Sequence, residues 1–337
     1  MRYIELFAGV GGFRLGIERA FSVQPQDAEL QLEQSLSSDN GEQLQRTPSC
    51  VFANEWDKYA AQTYNKNFGG QIDTRDITTI STDEIPNHDL LVGGFPCQAF
   101  SVAGKRAGFN DTRGTMFFEI ARILADKKPQ HLLLENVKGL LSHDSGRTFQ
   151  TILKVLTDLG YGVEWQVLNS KDFGVPQNRE RVFIVGHLGG ISGRKVFPIF
   201  GSSSEAESTI HPTIDANYYK GPSNQRRMVA MTEIRTDEAK AIRRESQRAG
   251  RDFSPRRGKV LVPRADEIGN TVTATQTKEH LLSNGARIRR LTPVECERLQ
   301  GFPDNWTAGV SDTQRYKQMG NAVTVNVIEA VVRRMYG

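Results

Sequence analysis

Cysteine is scarce in this chain, with three in 337 residues, an odd number without close spacing. That excludes a disulfide framework and the paired spacing of a structural zinc site, and it implies reduced thiols. Long apolar runs are missing too: no stretch reaches the roughly eighteen residues of a membrane-spanning helix. The opening MRYIELFAGVGG lacks the basic, apolar and small-residue succession of a secretory leader, so a cytoplasmic location is expected. Nor is there a strong overall charge, since 43 Lys and Arg stand against 39 Asp and Glu. At 38% hydrophobic and 24% charged, the chain has the make-up of a globular protein long enough for two domains.

What charge excess exists is regional. Residues 191–290 hold 19 Lys and Arg against 11 Asp and Glu, and RRESQRAGRDFSPRRGK from Arg243 to Lys259 concentrates it. Such a surface suits phosphates, because releasing their counterions supplies sequence-independent affinity. A solvated helix face with scattered arginines has the same composition.

Short apolar runs alternate with helical patterns over most of the chain: YIELF then GFRLGIERAF, CVFAN then DKYAAQTYNKNF, DLLVGG then TMFFEIARILADKK, HLLLEN then RTFQTILKVLTDLG, with VEWQVLN and RVFIVG closing the series. This predicts an α/β, doubly wound, parallel-rich sheet with helices on both faces and ligands at the carboxyl ends of the strands. Residues 1–190 form the expected first domain. Within it, residues 22–49 are rich in Gln and Ser, with five acids and one base, and read as a mobile surface insertion. From 191 to 285 the alternation dissolves, which marks a second domain. Residues 286–309 form a hinge segment, and 310–337 return to the first domain's core.

Several residues carry candidate chemistry. FAGVGG follows a strand and opens a helix, where glycines let backbone approach a ligand, although a plain tight turn needs them as well. Glu55, at the end of the second strand, stands where an acid commonly grips ribose hydroxyls. Trp56 could stack on an adenine and Asp76 could accept its amine; a capping Glu, a core Trp and a turn Asp are the plainer readings. Cys97, in GGFPCQAFS, sits where a strand breaks open, followed by Lys105, Arg106 and Arg113. This is the electropositive setting that favours a thiolate nucleophile. Cys50 and Cys296 read instead as small hydrophobes. Glu135 ends a further strand, and Arg179 and Arg181, two apart, share one side of another. For these the plain alternatives are a helix cap and surface ion pairs.

In order, FAGVGGFRLG, NEWDKYA, GGFPCQAFS, DTRGTMFF, ENV, QNRER, RLTPVECERLQGFPD and YKQMGNAV resemble the motifs of the bacterial DNA (cytosine-5)-methyltransferases. The resemblance covers residues 1–21, 50–187 and about 287–335, and the basic segment occupies the place of that family's target-recognition domain. It implies a Rossmann-like methyltransferase domain that uses S-adenosyl-L-methionine, with a smaller target-recognition domain, acting on double-stranded DNA. Cys97 would attack C6 of a flipped cytosine, with Pro96 fixing the backbone and Gln98 shaping the loop. Glu135 would hold N3 and the N4 amine, Arg181 would contact O2 and orient Glu135, and Arg179 would lie nearer the phosphates. Ser101, Lys105, Arg106 and Arg113 would meet DNA as their loop closes over the base. Phe7, Gly9, Gly11 and Gly12 would line the methionine part of the cofactor, and Glu55 would hold the ribose. Trp56, Asp76 and Ile77 would contact adenine, while Gly94, Pro96, Met116, Asn321 and Ala322 would complete the pocket. No metal is expected.

Three readings follow: a DNA methyltransferase, expected as a monomer and in a restriction-modification system with a separate endonuclease; a tRNA cytosine-5 methyltransferase, which the basic insert disfavours; and a non-catalytic DNA-binding regulator, which would be expected to lose Cys97 or Glu135. Base-reading candidates are Gln225, Arg226, Arg227, Gln276 and Thr277. Deleting residues 22–49 is expected to leave methyl transfer largely intact. A folded but inactive deletion variant in a labelled-methyl assay would show that the insertion matters.

Overall fold

Buried along nearly its whole length, RYIEL forms strand β1 (Arg2–Leu6), as a strand covered on both faces should. A computed structural model describes residues 1–22, 47–70, 72–96, 116–190, 195–201, 229–248, 259–263, 281–283 and 288–337. Around β1 gather β2 (Ser49–Asn54), β3 (Leu90–Gly94), β4 (His131–Val137), β5 (Tyr161–Asn169) and β6 (Glu180–Leu188), in the order β2-β1-β3-β4-β6-β5. The first four are mutually parallel, while β6 runs antiparallel to both β4 and β5.

The antiparallel strand refines the expected layout. Arg179 and Arg181 precede the apolar part of their strand, so in an all-parallel sheet they would lie at the end away from the other candidates. Because β6 is reversed, its first residues lie beside the last residues of β4, with Arg181 opposite Val137.

Alternating side chains feed two cores, as the pleat requires. Ile4, Leu6, Leu91, Leu132, Leu134, Val182 and Ile184 pack under helices α3 (Met116–Lys127) and α4 (Arg147–Asp158). On the other face Tyr3, Leu90, Val92, Leu133, Phe183 and Val185 pack under α1 (Gly12–Phe21) and the last helix, Val325–Tyr336. The sheet is doubly wound as expected. The chain's final helix supplies cover beside its first.

Local chemistry sets the helix starts. Helix α2 (Lys58–Phe68) begins at Asp57, whose carboxylate accepts from the amides of Tyr59 and Ala60 at 2.9 and 3.1 Å, and it ends on Gly69 at φ +66°. A second sheet, in the order β10-β9-β7-β8, holds β7 (Val229–Arg235), β8 (Lys259–Pro263), β9 (Leu281–Ser283) and β10 (Ile288–Arg290), and α5 spans Asp237–Arg248. Its last strand lies beyond residue 285, within the segment 286–309. Helix α6 (Pro293–Leu299) then opens with a capping box between Thr292 and Glu295, followed by α7 (Asp312–Asn321) and the final helix, α8.

Two expectations fall largely or wholly outside the described residues: the 22–49 insertion, and the base-reading candidates Gln225, Arg226, Arg227, Gln276 and Thr277. Ser49 is described and pairs with Arg2 in β2, so a deletion of the insertion must stop short of it. Cys50 is half-buried and Cys296 fully buried; burial pushes their thiols up to about 11 and about 12, which makes both poor nucleophiles, as expected of packing cysteines.

Helices α1 and α8 meet at Gly16, where a Cβ would lie 2.6 Å from Ile328 Cβ and 3.0 Å from the Val325 carbonyl. Gly16→Val should therefore destabilise the fold by about 2–3 kcal/mol in urea denaturation, because the two helices must part to admit the side chain. A loss below about 0.5 kcal/mol, the scale of an ordinary surface substitution, would show that this contact is not tight.

Candidate active site

Strand β1 ends in a turn that few sequences tolerate. Phe7, Gly9 and Gly11 all have positive φ, at +55°, +55° and +86°. The cost of such a conformation falls on Phe7, which has a side chain, and is relieved at the two glycines. At Gly9 a Cβ would meet nothing within 4 Å, because this residue faces open space. Gly11 differs: its Cβ would lie 2.1 Å from the Phe68 ring, so here glycine allows α2 to pack closely. Gly12 is likewise a packing glycine, 2.7 Å from Val323 by the same measure.

Glu55 fixes this turn from the neighbouring strand. One carboxylate oxygen accepts from the Gly9 amide at 2.9 Å and the other from the Asp57 amide at 2.8 Å. Burial raises its pKa, against the pull of those two amides. Each oxygen keeps a second lone pair for a ligand hydroxyl. Trp56, next in sequence, is 76% exposed, which rules out the plainer reading of a core tryptophan. Asp76 does cap a turn, accepting from the Thr78 amide and hydroxyl at 3.0 and 2.9 Å, yet it also borders the same opening as Trp56.

These residues surround a cavity of about 580 Å³ at the carboxyl ends of β1 to β4. Phe7, Gly9, Glu55, Trp56, Asp76, Ile77, Gly94, Pro96, Met116 and Asn321 lie on its wall, together with Glu135, Arg179 and Arg181. Gly11, Gly12 and Ala322 stand behind that wall. Cys97, Gln98, Ser101, Lys105, Arg106 and Arg113 lie outside the described residues, the first of them directly after Pro96.

At the far side of the cavity, Glu135 Oε1 pairs with Arg181 Nε at 3.0 Å, both side chains largely buried. Strand register explains the contact: Glu135 lies opposite Phe183 and Arg181 opposite Val137, so the two meet diagonally on one face. Burial raises the Glu135 pKa, while Arg181 and then Arg179 oppose it. The carboxyl therefore protonates more readily than an exposed one. Gly94 sits opposite Glu135 on β3, and a Cβ there would come within 3.3 Å of Glu135 Oε2.

Arg179 departs from the expected place near phosphates. It is 2% exposed and turned inward, donating to the carbonyls of Gly320 and Ala322 at 3.1 and 2.8 Å. Burial, then repulsion from Arg181, lowers its pKa. These contacts make it a clamp on the C-terminal segment.

Sequence reasoning missed two contributors. Asn136 donates to the Phe95 carbonyl at 2.9 Å and so holds the backbone two residues before Cys97; its place beside Glu135 in ENV was the available signal. Lys317, also on the cavity wall, pairs with Asp57 at 2.6 Å and ties α7 to α2. Nothing in the local sequence foretold that pairing, which spans most of the chain.

An α/β sheet whose glycine turn, strand-end acid and exposed tryptophan border one cavity has the layout of a nucleoside-binding enzyme, and the buried acid–arginine pair adds a second polar centre within the same cavity. Across residues 1–337 the chain matches the model of the C-5 cytosine-specific DNA methylases, and it belongs to that family. It is 42% identical to the Type II methyltransferase M.NlaX of Neisseria lactamica, over 99% of this chain and 96% of that protein. With M.HhaI of Haemophilus parahaemolyticus it shares 35% identity over 98% and 93%. Among solved structures the S. pombe Dnmt2 methyltransferase has a TM-score of 0.65 at 19% identity, covering 99% and 97%, a likeness of fold. The protein is thus a DNA C5-methyltransferase. Among the described residues, no helix is long and apolar enough to cross a membrane and no acid, His and Cys cluster suits a metal.

Beneath the glycine turn lies Glu5, fully buried on β1, with one oxygen accepting from Tyr64 Oη at 3.2 Å and the other without a partner among the described residues. Burial pushes its pKa up to about 8. The folded state holds this proton more tightly than the unfolded chain, so stability is lost as pH rises from the ordinary carboxylate range to about 8. Glu5→Gln removes the penalty. Its melting temperature relative to wild type should climb between pH 5 and pH 8, and a difference that is flat in pH would show that Glu5 does not titrate in this window.

Proposed function

We propose that the enzyme transfers the methyl group of S-adenosylmethionine to C5 of a cytosine flipped out of a specific duplex DNA sequence, through a covalent bond between Cys97 and C6. The observation that carries this reading is the single cavity: the Gly9 turn, Glu55 and exposed Trp56 stand on one side, and the Glu135–Arg181 pair on the other. A nucleoside cofactor and a base held by these groups would share one enclosed space. The open volume over Gly9, the spare lone pairs of Glu55 and the free face of Trp56 suit the methionine, ribose and adenine parts of that cofactor.

The chain's own residues account for the steps. S-adenosylmethionine supplies an electrophilic methyl group on a sulfonium. Cytosine C5 is a weak nucleophile until the Cys97 thiolate adds to C6, which places the displaced electron pair on the N3 side of the ring. Glu135, which burial keeps readily protonated, stabilises that charge by donating to N3 and accepting from the N4 amine. Arg181 holds Glu135 in place and faces O2. C5 would then take the methyl group as its bond to the sulfonium breaks and a neutral thioether leaves; a base would remove the C5 proton, N3 would return its proton to Glu135, and the returning electron pair would expel the Cys97 thiolate. Asn136, through the Phe95 carbonyl, sets the backbone from which Cys97 projects.

The Type II methyltransferase names of its relatives support a place in a restriction-modification system. We read the enzyme as a monomer that acts without a bound endonuclease, its second sheet and basic segment serving as the target-recognition unit, while Ser101, Lys105, Arg106 and Arg113, in the stretch after Cys97, would approach the DNA separately from it.

The test is transfer of labelled methyl to duplex DNA and, in parallel, to tRNA, followed by bisulfite sequencing. Label on DNA at one recurrent motif is expected; label on tRNA alone would sink the proposal. Cys97→Ser should keep DNA binding while turnover falls below about a thousandth of wild type. Turnover near the wild-type rate would refute the covalent step.

A further inference from the structure

The polar side chains behind the cavity wall form one buried network that the chemistry above does not use. Gln177 and Gln300 are fully buried, and Ser170, Arg179 and Thr324 nearly so. Gln300 Nε2 donates to the Met319 carbonyl at 2.8 Å, and its Oε1 accepts from Thr324 Oγ1 at 2.8 Å and from Gln177 Nε2 at 3.3 Å. Gln177 Nε2 also donates to the Leu299 carbonyl at 2.6 Å. Ser170 and Thr324 hydroxyls lie 2.8 Å apart.

The target of this network is the end of α7. The last carbonyls of a helix have no partner within it and must find donors elsewhere. Here the Met319 carbonyl takes a bond from Gln300, and the Gly320 and Ala322 carbonyls take bonds from Arg179. These carbonyls flank Asn321, and Gly320 and Asn321 both lie on the cavity wall. Gln300 itself follows α6, the helix entered from the second sheet's last strand, and its own carbonyl accepts the Val325 amide at 3.0 Å. One side chain therefore links the segment returning from the recognition unit to the stretch of backbone closing the cavity.

We infer that Gln300 is a positioning residue for cofactor binding: by holding the Met319 carbonyl it sets Gly320 and Asn321 against the cofactor, while Arg179 holds the same stretch from the substrate side. The inference rests on the cofactor site proposed above. Gln300→Leu removes the donor to Met319. Thr324→Val removes a neighbour of Gln300 in the same network yet leaves that donor and its bond in place.

Calorimetry with S-adenosylmethionine, read beside melting temperature, separates the roles. Both variants should melt lower than wild type, but only Gln300→Leu should weaken cofactor binding, by about tenfold, the loss of one well-placed hydrogen bond. Its KM for cofactor should rise alike, with kcat at saturating cofactor within about twofold of wild type. Unchanged binding in Gln300→Leu, or equal weakening in Thr324→Val, overturns the inference. Should Gln300→Leu fail to fold, hydrogen exchange on the wild-type enzyme decides. Cofactor should slow exchange of the Ala322 and Val325 amides together with Gly9, and protection of Gly9 alone overturns the inference. A wild-type enzyme that binds no cofactor would instead overturn the cofactor site itself.

Discussion

The reversal of one strand makes the rest of the site possible. Because β6 enters the sheet antiparallel between β4 and β5, the chain delivers Arg179 and Arg181 to the end where the parallel strands finish. The ion pair between Glu135 and Arg181 then forms in a place that water barely reaches. A buried pair of this kind contributes little to stability, since desolvation offsets most of the attraction. Its value lies in tuning: burial raises the carboxyl's pKa, and the two guanidinium groups beside it hold that rise in check.

The two ends of the cavity are built on contrasting principles. At the glycine turn, a carboxylate spends both oxygens on backbone amides, and the backbone itself faces the ligand space. At the Glu135 end, charged side chains face that space and each is held by another. The first arrangement presents backbone held by a carboxylate; the second presents a titratable acid held by a guanidinium. A methyl donor and a base to be activated make these separate demands.

Much of this could be read in the sequence because it is local. The alternation of apolar runs gave the sheet and helices, and the residues after each strand gave Glu55, Trp56, Asp76 and Glu135. Short-range rules hold here because a strand's end and the next helix's cap are neighbours in the chain. The motifs gave some long-range partners, such as Arg181 for Glu135 and Asn321 for the cavity wall, but other contacts between distant segments left no local trace. The inward turn of Arg179 depends on carbonyls some 140 residues later. Likewise Lys317 reaches Asp57 across 260 positions, and Gln177 reaches Gln300 across 123. The direction of β6 was equally hidden, because apolar periodicity is the same read forwards or backwards. Gly11 and Gly12 show the converse: a motif gives the right residue type, and only packing tells whether the glycine faces a ligand or a neighbouring helix.

The lateness of the closing wall has a consequence for the protein's synthesis. Glu55, Trp56 and Glu135 leave the ribosome early, but Lys317, Gly320 and Asn321 follow only after the second sheet has emerged. A nascent chain thus carries Cys97 and Glu135 before the cavity wall is finished. The cavity is completed only after the second sheet has been made, so a chain stalled or clipped before its last helices would have no complete cavity with which to act on DNA.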